Sequence, residues 1–172
     1  MCCPLTGSDR RPGFVFVSGS SNSGKTTLIE LLIPRLRARG IRVGTIKHTH
    51  HGFEMDQPGK DSWRHARAGS QAVAVIGLQR AAWLVDTEEA WSVAQAAAPM
   101  VGRVDLVLVE GFKSGAAESL IRLESNASAR LRMEGAVCRI GVLPSTLEPE
   151  ELEQIAAFCL GGVRCRPLPS RA

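Results

Sequence analysis

Aromatic residues make up only 5% of the 172-residue chain. They are not interleaved with basic residues, so the stacking platforms that hold single-stranded nucleic acid are missing. No uninterrupted apolar stretch approaches the roughly 20 residues of a membrane-spanning helix, and none of the fold is expected to lie in a membrane. The start, 1–13, has no apolar core after a basic segment. It therefore does not read as a secretory signal, and a cytoplasmic protein with a flexible leader is expected. The cysteines at 2, 3, 138, 159 and 165 are odd in number and follow none of the paired spacings of zinc ribbons or disulfide frameworks, which points to reduced thiols. There is no internal repeat. The net charge is +4, but the arginines behind it are spread along the chain rather than gathered into one run. That balance suits phosphorylated small molecules as well as any polymer.

The composition fits one compact unit. An apolar share of 44% with 22% charged residues is that of a globular chain, and a domain of this length buries roughly 70% of the surface its unfolded form exposes. The boundaries expected are a leader over 1–13, a single domain over 14–160 and a fraying tail over 161–172. Phe14–Ser18 reads as a strand buried on both faces. Leu28, Ile29, Leu32, Ile33 and Leu36 recur at helical spacing, with Gly40 as the stop and Pro34 expected to loosen the third turn. Ile41–Ile46 is a second strand, expected to be parallel to the first through a right-handed crossover. Lys47–Lys60 reads as a long loop. A short helix from Asp61 to about Ala68, strands at 71–76 and 81–85 and a helix over Thr87–Ala98 stopped by Pro99 follow. A buried strand at 105–109 comes next, then an irregular stretch over 112–134 with a short strand at 120–123, a strand at 136–142 and a last helix over 150–159.

Gly19, Ser20, Ser21, Asn22, Ser23, Gly24, Lys25 and Thr26 fit G-x-x-x-x-G-K-[ST] at every fixed position, between a buried strand and a helix start. Glycines let such a loop curl so that successive N–H groups face an anion, and the helix N-terminus adds its positive end. Lys25 would reach the outer phosphates, the Thr26 hydroxyl would ligate magnesium, and Thr27 closes the binding stretch. A magnesium-bound triphosphate also needs a carboxylate at the C-terminal end of a neighbouring strand, where ligands of open parallel sheets gather. Glu110 meets that need. Asp105 opens the same strand roughly 16 Å away at a rise of about 3.3 Å per residue, and so reads as structural. Gly111 would let backbone approach the terminal phosphate. Asp61 either joins the metal shell or caps a helix, and Asp56 either joins that shell or is a solvated loop charge. Lys47, His48, His50, His51 and Lys113 form a possible phosphate or substrate loop. Anion or substrate contact suits the histidines better than zinc, which wants a more regular ligand set. His65, alone on a short helix, reads as exposed or satisfied.

Taken in order, these elements resemble the MobB family, partnered with MobA in molybdenum-cofactor maturation. The resemblance rests on Gly19–Thr26, on Ile46-Lys-His-Thr-His-His51, on Asp56-Gln-Pro-Gly-Lys-Asp-Ser62 and on Val109-Glu-Gly-Phe-Lys113. It spans 14–113, and little beyond residue 125 takes part. It implies an α/β P-loop NTPase fold of the SIMIBI kind, with a mostly parallel sheet and flanking helices. It further implies GTP and Mg2+ as ligands, a homodimeric adapter with weak GTPase activity, and assistance to a MobA-type nucleotidyltransferase that joins GMP to molybdopterin. The N-K-x-D element by which many GTPases read the base is missing, so guanine rests on the resemblance alone, with Gly141–Ser145 as the candidate for base contact. Two other functions stay open. A small-molecule kinase or ATP-dependent synthetase of the dethiobiotin synthetase type would use Arg122, Arg130 and Arg132 as a lid. A GTP-driven metallochaperone would use the histidines or Cys2 and Cys3.

Overall fold

The computed structural model describes residues 11–49, 51–112, 119–124 and 129–161. Most of the leader (1–10), His50, Lys113, the tail beyond Gly161 and the cysteines at 2, 3 and 165 lie outside the described residues. The chain divides into two compact units, one holding the chain up to His48 and from Val93 onward, the other Thr49–Ser92.

In the first unit, β1 (Gly13–Ser18), β2 (Val43–Lys47), β5 (Leu106–Glu110), β6 (Ser119–Leu123), β7 (Leu131–Glu134) and β8 (Val137–Ile140) form one sheet in the order β2-β5-β1-β6-β8-β7. All neighbours are parallel except β7, which pairs antiparallel with β8. β1 and β2 are parallel as their crossover demands, with β5 between them. The apolar runs of β1 and β5 follow from this central place, since side chains on both faces are covered. One face carries α1 (Lys25–Ala38) and α4 (Pro149–Gly161), which pack Leu28, Leu32, Leu36, Leu152 and Ile155 against Val15, Val17 and Ile121. The other face holds a second cluster, in which Phe16, Val107 and Val109 meet Ala97 of the short α3 (Val93–Ala97).

Helix α1 runs unbroken through Pro34. A proline inside a helix costs about 3 kcal/mol, but burying a leucine contributes about 1.5–3 kcal/mol, and Leu28, Leu32 and Leu36 are all fully buried. The helix ends as its sequence predicts. Gly40, at φ +78°, donates to the carbonyl of Arg37, and Ile41 donates back to Leu36, so the last carbonyls are satisfied. Besides the loosening expected at Pro34, two expectations fail. The helix expected over 87–98 is only α3 and one 3-10 turn at Ala98–Met100. The stretch read as irregular contains β7, whose alternating Leu-Arg-Met-Glu turns at Gly135 into β8.

The second unit contains α2 (Asp61–Arg67) and a hairpin of β3 (Ala72–Ile76) with β4 (Ala81–Val85). Asp61 is not the cap expected of it. Lys60 holds the N-cap position and Asp61 begins the helix.

Candidate functional site

The phosphate loop leaves β1 at Ser18 and enters α1 at Lys25. Two of its glycines are required by close approach. A Cβ on Gly24, at φ +88°, would lie 2.7 Å from Cδ of Pro144, and one on Gly19 would lie 3.1 Å from both Cβ and the carbonyl oxygen of Leu123. Asn22 adopts a left-handed φ of +59°, which asparagine tolerates well. The Lys25 ammonium bends back over the loop to the carbonyls of Gly19 and Ser20, at 3.1 and 2.6 Å. The Ser23 hydroxyl is buried without a hydrogen-bond partner among the described residues. A curled loop with an orphaned donor and a folded-back ammonium is what an incoming phosphate would satisfy.

Beyond the loop, the Thr26 hydroxyl donates to both carboxylate oxygens of Glu110, at 3.2 and 3.3 Å. Glu110 closes β5 at the C-terminal end of the sheet and, among the described residues, is the one buried charged group. A buried carboxylate needs a counter-charge, and Lys47, its register partner on β2, brings its ammonium to 3.6 Å. A hydroxyl and a buried carboxylate within bonding distance of each other form an oxygen donor set suited to Mg2+. Thr26 and Glu110 would hold that ion, which would neutralise phosphate charge when bound. At the other end of β5, Asp105 accepts from the backbone N–H and the guanidinium of Arg42 and so joins β5 to the start of β2.

His48 continues the ladder past β2. Its N–H donates to the carbonyl of Glu110 at 2.8 Å, and its ring lies 4.4 Å from that of Phe112. Gly111 is needed here for a reason the sequence did not show, because a Cβ there would sit 2.5 Å from the His48 carbonyl oxygen. Pro144, inside the stretch proposed for base contact, is buried against the phosphate loop, while Leu143 beside it stays exposed.

In the second unit, Asp56 is more than a solvated charge. Its carboxylate accepts from the Gln57 N–H and the Ser62 hydroxyl and folds the Pro-Gly-Lys-Asp segment into a turn. The Asp61 carboxylate is 91% exposed, with Arg64 at 3.9 Å. His51 and His65 are exposed. Among the described residues no three histidines, cysteines or acids are grouped to hold a metal ion.

The arginines expected of a kinase lid do not form one. Arg122 and Arg132 lie on strands β6 and β7. Arg130 is bound to Glu151 and to the Thr146 carbonyl near the start of α4. The Lys47–Glu110 pair and the packing of Pro144 on Gly24 had no signal in the sequence, since both join residues distant in the chain.

Residues 14–137 match the family model described as molybdopterin guanine dinucleotide synthesis protein B. A molybdopterin-guanine dinucleotide biosynthesis adapter protein of Haemophilus influenzae is 49% identical over 98 residues, covering 56% of this chain and 55% of that protein. The protein of the same name from Escherichia coli is 43% identical over 113 residues, covering 64% and 65%. The matched stretch thus spans less than two thirds of each of these relatives. A crystal structure of molybdopterin-guanine biosynthesis protein B superposes with a TM-score of 0.60 at 25% identity, over 88% of this chain and 99% of that one. Bacillus subtilis MobB, at 22% identity and a TM-score of 0.62, shares the fold.

Proposed function

The chain belongs to the family of molybdopterin guanine dinucleotide synthesis protein B, and from that premise we propose that it is a GTP-binding adapter of molybdenum-cofactor biosynthesis. Its role is to assist a MobA-type nucleotidyltransferase in joining GMP to molybdopterin in the cytoplasm, with Mg2+ and a weak GTPase activity. The fold is that of an α/β P-loop NTPase, and no described helix is long and apolar enough to cross a membrane. The observation that carries the reading is the pairing of Thr26 with the buried Glu110 beside a complete phosphate loop.

In this reading Gly19–Thr27 wrap the phosphates, Lys25 turns from the loop carbonyls to the β and γ oxygens, and Thr26 and Glu110 hold the metal. The nucleotide-binding part is the first unit, which holds the phosphate loop and Glu110. His48, whose N–H meets the Glu110 carbonyl, faces the anionic ligand. Homodimerisation is supported by the hairpin of the second unit. Neither β3 nor β4 contains a polar side chain, and Ile76 and Trp83 are more than 70% exposed. Helix α2 packs on β3 and Val73 is buried, and the apolar surface that stays exposed is of the kind a second copy would cover.

Calorimetry with slowly hydrolysed GTP and ATP analogues tests the reading, together with GMP transfer by a MobA-type enzyme with and without this chain. The GTP analogue is expected to bind at least about tenfold more tightly than the ATP analogue. Lys25→Ala is expected to weaken it by about a hundredfold or more, because the lysine is the point charge aimed at the outer phosphates. A preference for ATP, or unchanged affinity in a folded Lys25→Ala protein, would overturn it.

A further inference from the structure

Three arginines stand side by side across the sheet. Arg122 of β6 is the register partner of Arg139 of β8, which is the partner of Arg132 of β7. The row continues on the inner side to Ser18, the partner of Arg122 and the last residue before the phosphate loop. Strand alternation puts all four on one face, because Ile121, Leu123, Leu131, Cys138 and Ile140 pack on the opposite one, against α1 and α4. On this face the short α3 has its main strand contact with β2, at the far side of β5 from the arginines.

Like charges directly opposite one another on a sheet are destabilising, so such a row needs counter-charges. Two are present. Glu124 pairs with Arg139, and Glu134 lies 2.7 Å from Arg132 and 3.9 Å from Arg139. Arg122 has no ion-pair partner among the described residues and is exposed. Beside it the Ser18 hydroxyl is buried without a hydrogen-bond partner among the described residues. The two glutamates thus steady the outer arginines, while the innermost one, nearest the phosphate loop and toward the C-terminal ends of the strands, has no acidic partner among the described residues. The chemistry that matches such a guanidinium flanked by further guanidinium groups is a dianionic oxyanion, bound bidentately.

We propose that Arg122, supported by the field of Arg139 and Arg132, is a binding site for a phosphomonoester dianion, separate from the phosphate loop. The site goes beyond the nucleotide reading and does not depend on it. Its occupant is a small phosphorylated molecule other than the nucleotide. Because the second ionisation of a phosphomonoester falls near pH 6, binding strengthens as pH rises through that value.

The test is a titration of the full chain with phenyl phosphate at low ionic strength, followed by calorimetry in wild type, Arg122→Gln and Lys25→Ala. Binding is expected to weaken about tenfold in Arg122→Gln and to persist in Lys25→Ala. Thermal melts verify that each variant is folded, and Arg132→Gln, expected to weaken binding by a smaller factor, replaces Arg122→Gln if that variant is not. Loss in Lys25→Ala would place the ester in the phosphate loop and overturn the proposal. So would an unchanged affinity in folded Arg122→Gln, or no binding to wild type. Failure of the nucleotide reading is seen separately, in the GTP-analogue titration.

Discussion

Thr26, one residue into the first helix, donates its hydroxyl to both oxygens of Glu110, 84 residues further along the chain. The pair joins the phosphate loop to the end of the adjacent strand, and Lys47 completes it with an ammonium 3.6 Å from the same carboxylate. Glu110→Gln keeps the shape and removes the charge. It is expected to lower the Mg2+ dependence of GTP-analogue affinity by about tenfold or more, measured by calorimetry at several metal concentrations. Asp105→Asn, on the same strand, is expected to leave that dependence unchanged and to lower the melting temperature, since Asp105 serves Arg42. Equal effects of the two substitutions on metal dependence would refute the assignment.

Gly24→Ala puts a Cβ 2.7 Å from Pro144 at a φ of +88°. The left-handed conformation alone costs an L-residue about 1–2 kcal/mol, and the contact adds to it. Because Pro144 is ring-stiff, the loop rather than its neighbour is expected to shift. GTP-analogue affinity should fall sharply while the far-ultraviolet circular dichroism stays that of a folded chain. Retained affinity would show that the loop tolerates the displacement.

The apolar hairpin gives a prediction for assembly. Trp83→Glu and Ile76→Glu add charge at side chains that are 74% and 78% exposed, so neither should unfold an isolated chain. Both are expected to shift the protein from dimer to monomer in sedimentation velocity. A wild type that sediments as a monomer would remove the basis for a dimer.

Cys138 and Cys159 are buried, and burial pushes both thiols up to about 12. Since the thiolate is the reactive form, neither is expected to take up iodoacetamide at pH 8 in the native chain, and both should do so in urea, as peptide mass spectrometry would show. A thiol whose folded value lies above its unfolded one contributes stability that is complete below the ordinary thiol range near 9 and is lost as pH rises toward 12. Denaturant midpoints measured between pH 8 and 11 should fall, and should fall less in Cys138→Ala than in wild type.

Much of the site was legible in residue order because its parts are local. The phosphate loop needs a strand, a curl of small residues and a helix start, all contiguous, and 13–38 supply them in that order. Glu110 could be placed because a strand has two ends and ligands gather at only one. The helix stop at Gly40 and the two hairpin strands were equally local. The helix expected over 87–98 was overestimated, because its polar start has no apolar stripe to pack and only Val93–Ala97 reaches the sheet.

By itself the sequence determined the strand–loop–helix at 13–38, the carboxylate at the C-terminal end of β5 and the family to which they belong, since short-range backbone preference and spacing suffice for each. Only the tertiary structure decided which residues meet across the sheet. Strand order brought Lys47 beside Glu110 and set Arg122, Arg139 and Arg132 in one row. The physical reason is that register between distant strands is set by how their apolar faces share a core, and a shift of one residue would turn every one of those side chains to the opposite face.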